Sequence, residues 1–109
     1  MSHKRKVFSA ERWNMISTID QMANIGSEIE RAFSWRLKNN PGYAQKSFER
    51  ALELIDLTLD CDKNYAHLKE VARMREAIVD YFSGVNQFHS SESSWRKYFS
   101  PFFYASRKK

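Results

Sequence analysis

Apolar residues recur every three or four positions along most of this chain, and nowhere do they alternate with polar ones for long enough to suggest a strand. The pattern predicts an all-α protein. A first helix is expected from Ser9, its N-cap, to about Lys38, with Glu11 in the first turn where a carboxylate complements the helix dipole. Its inward stripe reads Met15, Ile19, Met22, Gly26, Ile29, Phe33 and Leu37. At about 1.5 Å per residue such a helix is roughly 40 Å long, enough to overhang its neighbours or bend around them. Gly26 in the middle of the stripe points to a close helix crossing or a slight bend.

Asn39-Asn40-Pro41-Gly42 breaks the pattern and restarts it, with Asn40 as a cap and Pro41 at the first helical position, where its missing N–H costs nothing. The second helix follows to about Leu59 on the stripe Ala44, Phe48, Ala51, Leu52, Ile55 and Leu59, widened by Leu54 and Leu57. A turn over residues 60–64 leads to a third helix from about Tyr65 to Ser83, stopped by Gly84, with Leu68, Val71, Ala72, Arg75, Ile78, Val79 and Phe82 on one side. After a polar stretch, Ser91 caps a last aromatic helix carrying Trp95, Phe99, Phe102 and Phe103, which Pro101 is expected to kink or shorten. Short connections favour an up-down four-helix bundle with a long first helix and a kinked carboxy-terminal one. With 109 residues there is enough chain for one core, so residues 1–109 are read as a single domain, with residues 1–8 and 106–109 as flexible basic tails.

Charge changes the picture less than its total suggests. The net charge is +5, yet Lys4, Arg5, Lys6, Arg107, Lys108 and Lys109 supply six of the 18 basic residues and none of the 13 acidic ones. The body holds 12 bases against 13 acids and is close to neutral. No apolar run approaches the length of a membrane span and the start lacks a signal-peptide core, so stable membrane insertion is not expected and the cytoplasm is the expected compartment. Cys61, the single cysteine, agrees with a reducing environment and argues against a structural zinc site.

Arg75 is the residue that breaks the apolar order of its helix. A guanidinium in a core stripe needs a counter-charge, for which Glu30 on the first helix is the candidate. Two readings follow: a structural salt bridge, or an arginine aimed into a groove at an anionic ligand or a second subunit.

The stretch Glu70-Val71-Ala72-Arg73-Met74-Arg75-Glu76-Ala77-Ile78-Val79-Asp80-Tyr81-Phe82 resembles the third-helix segment of HEPN domains, small helical bundles of prokaryotic toxin–antitoxin and defence systems. Their pattern is arginine, a polar residue, a short spacer and histidine, in some groups with a tyrosine just after. The resemblance implies a helical-bundle fold and, in active members, a metal-independent ribonuclease in which arginine holds the phosphate and histidine assists proton transfer. Arg75 matches the arginine and Glu76 the polar residue, with Tyr81 close to the tyrosine, but Asp80 stands at the histidine position. An aspartate with an ordinary pKa adds negative charge beside a phosphate and is no general acid at neutral pH, so the resemblance implies the fold more than the activity. Residues 24–32 and 48–57 are also similar to segments of small microbial helical proteins of unknown function, which bring no activity with them.

Other chemistry is absent from the sequence. His67 and His89 are each preceded at three residues by asparagine, not the glutamate of a di-iron bundle, and the three glycines are too scattered for a phosphate loop. No metal or cofactor is expected, and no complete catalytic set stands out. Trp13 and Trp35 fall opposite the first helix's core stripe, so either the last aromatic segment covers them or they anchor a partner. The aromatic segment itself is read as core, with base stacking or a membrane surface as alternatives. The resulting expectation is a non-catalytic interaction module, a homodimer or the binder of a protein partner, acting through Trp13, Trp35 and Arg75. The alternative is a HEPN-like RNA-binding or RNA-cleaving protein using Arg75, Asp80 and Tyr81.

Overall fold

The computed structural model describes residues 9–108, apart from the Asp62 side chain; the amino-terminal basic segment read as a tail lies outside the described residues. Within them the chain is all-helical, with α1 at Ala10–Met15, α2 at Thr18–Leu37, α3 at Pro41–Leu59, a 3-10 turn at Asp62–His67, α4 at Leu68–Ser83 and α5 at Glu92–Arg107. Helix α2 is central, packed against α3 on one side and α5 on the other, while α4 lies on α3.

The expected long first helix is two helices. Ser17 adopts an extended backbone and its hydroxyl accepts from the Asp20 amide, so it caps a new helix where continuation was expected. The break turns α1 about its axis relative to α2. Trp13, expected on the outer side, is fully buried, and its indole N–H donates to Thr58 Oγ1 of α3 at 2.9 Å. Met15 and Leu37, expected in the core, are exposed, and Ile19 is partly so. Met22, Ile29 and Phe33 between them are buried as their spacing requires.

Helix α3 starts as its sequence dictates, with Pro41 in the first turn and the Asn40 side chain accepting from the Tyr43 amide. Ala44, Phe48, Ala51, Leu54 and Ile55 point inward. Ser91 caps α5 in a reciprocal pair with Ser94, each side chain accepting from the other's backbone N–H. Pro101 does not shorten α5, which continues to Arg107. Residues 106 and 107, read as the start of a tail, therefore belong to that helix, and Ser106 Oγ donates to Asp20 Oδ1 at 2.6 Å.

Contacts along α5 give its direction. Arg96 meets Glu30, Phe99 lies against Gly26 and Ser106 meets Asp20, so α5 descends as α2 rises. Helix α4 ends at the same pole as α2: Phe82, near its end, stacks on Phe33 and Phe48 at 5.8 and 4.7 Å between ring centroids. One pole thus gathers the α2–α3 turn and the α4–α5 loop; the other gathers the start of α2, the 3-10 turn and the end of α5.

Candidate functional site

Arg75 does not reach Glu30. The buried residues of α4 are Val71, Met74 and Ile78, so the inward stripe is rotated toward Met74 and Arg75 lies at its edge, half-buried. Its Nε donates to Asp56 Oδ1 of α3 at 2.8 Å. Glu30 is held instead by Arg96 of α5, at 2.6 Å to Nε and 3.3 Å to Nη2. That hydrogen bond raises the arginine's pKa further above its already high value. Ion pairs with side chains this open to water are each worth about 0–1 kcal/mol. Arg75 is a surface link between α3 and α4, with part of its guanidinium accessible.

The neighbours that a phosphate-binding constellation would use are occupied by the fold. Both Asp80 carboxylate oxygens accept backbone N–H groups of the following loop, from Gln87 at 2.9 Å and Phe88 at 3.1 Å. Tyr81 meets Phe33 edge-on at 6.2 Å and lies under the Arg36 guanidinium. Trp13 is sealed inside, so it cannot anchor a partner, whereas Trp35 is half-buried against Tyr43 at 4.7 Å. The structure does not bring Trp13, Trp35 and Arg75 together as one surface: the first is interior to the α1–α3 contact and the second belongs to the α2–α3 corner. Among the described residues no three His, Cys, Asp or Glu side chains converge as a metal site requires.

A different feature emerges at the pole where α2 begins. Thr18, Ile19 and Met22 of α2, His67 at the end of the 3-10 turn, Glu70 and Val71 of α4 and Phe102 of α5 line a mostly apolar cavity of about 170 Å³, partly open to solvent. The stripe of α2 carried a signal for it, because Ile19 continues the core sequence pattern past buried Met22 and is left partly exposed at the cavity. Beside the cavity, Lys63 Nζ donates to the carbonyls of Asn14 and Ile16 and ties the 3-10 turn to the α1–α2 joint. Met15 and Tyr65, which flank those tied residues, are 83% and 80% exposed.

Glu70 at the cavity also accepts from Tyr98 Oη at 3.4 Å. Burial, reinforced by the Glu70 charge, pushes the Tyr98 phenol well above the ordinary tyrosine range. A raised folded-state pKa favours the folded protein up to the unfolded value, about 10, and the advantage is lost as pH rises further. Urea unfolding should therefore show stability falling above about pH 10, and Tyr98→Phe should make that fall shallower.

No family model, curated protein or solved structure matches this chain at a significant level. The functional reading rests on the chemistry of its own surface.

Proposed function

We propose that the protein is a non-catalytic, cytoplasmic interaction module that pairs with a second copy of itself through the cavity at the start of α2. The reading treats α2, α3, α4 and α5 as an up-down bundle, which the order of contacts along α5 and α4 supports. One observation carries the proposal: partly exposed Ile19 lines an open apolar cavity, so a two-fold-related copy can fill the recess and cover a side chain that the monomer leaves in water. Thr18, His67 and Glu70 supply the polar edge such an interface uses to fix its register. Sedimentation equilibrium tests it. The wild-type chain is expected to dimerise in the micromolar range and Ile19→Asp to remain monomeric, because a carboxylate would be buried unpaired. A wild-type monomer at all accessible concentrations would reject self-association and turn the search to another protein partner.

The RNA-directed alternative finds its support in the accessible part of Arg75, which could exchange Asp56 for a phosphate. It is the weaker reading because Asp80, at the position where the HEPN pattern has histidine, already spends both oxygens on the α4–α5 loop. Binding of labelled single-stranded RNA that Arg75→Ala abolishes would favour it over the interaction module.

A further inference from the structure

From the opposite pole we infer a second activity: docking on an anionic phospholipid surface, with apolar side chains of two turns entering the lipid interface and a set of cations meeting the headgroups. Residues 31–48, which run from α2 through the turn into α3, contain four basic residues and no aspartate or glutamate. Three of those cations, Arg36, Lys38 and Lys46, have no carboxylate within ion-pairing distance among the described residues. They rest on aromatic rings instead. Lys38 Nζ is 5.1 Å from the Trp35 ring centre, Lys46 Nζ is 5.7 Å from that of Tyr43, and the Arg36 guanidinium lies over Phe82 at 5.2 Å. Tryptophan and tyrosine rings with an adjacent cation suit the headgroup depth of a bilayer, where one end of the group is apolar and the other wet.

The apolar half of the surface comes from two separate turns. Leu37 is 86% exposed between Arg36 and Lys38, and Val85 and Phe88 of the α4–α5 loop are 82% and 56% exposed. That loop is closely specified. Asp80 accepts from Gly84, Asn86, Gln87 and Phe88 through its carbonyl and carboxylate, Asn86 and Ser90 bond each other twice, and Asn86 and His89 occupy left-handed backbone positions. The loop therefore presents Val85 and Phe88 outward by construction. Leu37 and the loop share one pole because Arg36 spans from α2 to Tyr81 and Phe82 at the end of α4.

Of the carboxylates around this pole, Glu49, exposed beside Lys46 and accepting from Gln45 Nε2 at 3.2 Å, is the one an anionic partner meets, and the others are held within the fold. Asp80 is turned into its loop amides, Glu92 pairs with Arg96 at 3.4 Å, and Glu30 is held by the same arginine. Cations alone would suit any polyanion. Three outward apolar side chains set among them select a lipid interface, in which apolar residues sink to the headgroup–acyl boundary while the cations gain from the anionic surface potential. No helix among the described residues is long and apolar enough to cross a membrane, so the contact is peripheral.

The test is co-sedimentation of the full chain with vesicles of phosphatidylcholine alone or with about one third phosphatidylserine. Wild-type protein should pellet with the anionic vesicles only, and less so as salt rises. The charge-neutral variant Leu37→Ser/Phe88→Ser, changed only at exposed positions and checked for unaltered circular dichroism, should bind at least about tenfold more weakly, as should Lys38→Gln/Lys46→Gln. Failure of the wild type to bind anionic vesicles overturns the inference. So does full binding by Leu37→Ser/Phe88→Ser, which would assign attachment to basic segments elsewhere in the chain. A pole that ignores vesicles yet binds labelled oligothymidylate through Lys38 and Lys46 would belong to nucleic acid instead.

Discussion

Gly26→Ala is expected to destabilise the protein by about 1–3 kcal/mol, although alanine is the better helix former by about 1 kcal/mol. The opposing effect is steric. A Cβ at this position would stand 2.8 Å from Phe103 Cζ and equally close to Phe99 Cγ and Cδ1. Phe103 meets it with the far end of a half-buried ring and can swing away, whereas Phe99 is contacted near the base of its ring and is only 2% exposed. Helix α5 must then shift from α2, and with it the Arg96–Glu30 and Ser106–Asp20 contacts along the same seam. For a chain of this size a loss of 1 kcal/mol lowers the melting temperature by about 4–8 °C. Thermal unfolding followed by circular dichroism measures it, with Gly26→Ala/Phe99→Leu expected to lose less than the sum of the two separate variants. An alanine variant that melts above the wild type would show that α2 and α5 are not in the close contact described here.

Gly26 illustrates what was legible in the sequence: a glycine in a core stripe marks a close crossing, and the crossing helix is the aromatic one. The helical class, the Asn40-Pro41 restart, the Ser91 cap and the buried centre of α2 were equally open to reading, because each depends on local spacing or capping chemistry. The break before α2 was also written in the chain. Ser17-Thr18-Ile19-Asp20 places a hydroxyl three residues ahead of a carboxylate and just before an apolar run, a helix-start pattern that competes with continuous periodicity. A continuous helix would place Trp13 outside and Met15 in the core, and the Ser17 cap reverses both.

Arg75 failed for a different reason. A wheel for α4 admits two neighbouring stripes, one through Ala72 and Arg75 and another through Val71, Met74 and Ile78, and only the position of α3 decides between them. Its counter-ion, Asp56, could not be found by spacing, since the two lie on different helices. The cavity at the start of α2 and the pole built from two turns are likewise products of tertiary assembly. Single residues announced themselves in the sequence, but the surfaces they form did not.

The α1–α2 break requires compensation, because two helix ends and a turn meet inside the protein. Asn64, fully buried in the 3-10 turn, provides much of it. Its Nδ2 donates to Gln21 Oε1 and to the Thr58 carbonyl, both at 2.9 Å, and its Oδ1 accepts from Thr18 Oγ1 at 2.5 Å. Gln21 in turn donates to the Trp13 carbonyl at 2.8 Å, and Thr58 Oγ1 accepts the Trp13 indole N–H while donating to the Leu54 carbonyl. One connected set of side chains therefore joins α1, α2, α3 and the 3-10 turn. Asn64→Ala would strip a hydrogen-bond partner from the buried Gln21 Oε1 and from the part-buried Thr18 hydroxyl, while the Thr58 carbonyl keeps the Cys61 N–H; a group left unsatisfied in the interior costs about 1–3 kcal/mol. The expected loss is about 2–4 kcal/mol, several times that of opening an exposed ion pair such as Arg75–Asp56. Because the penalty arises from abandoned partners, Gln21→Met should partly relieve it. The double variant Gln21→Met/Asn64→Ala is expected to be more stable than the sum of the separate losses by at least about 1 kcal/mol. Chemical denaturation of the four proteins in that cycle measures the coupling. Strict additivity would mean that Gln21 and Asn64 stabilise the α1–α2 joint independently, and that the break is held by packing around Trp13 instead of by the polar network.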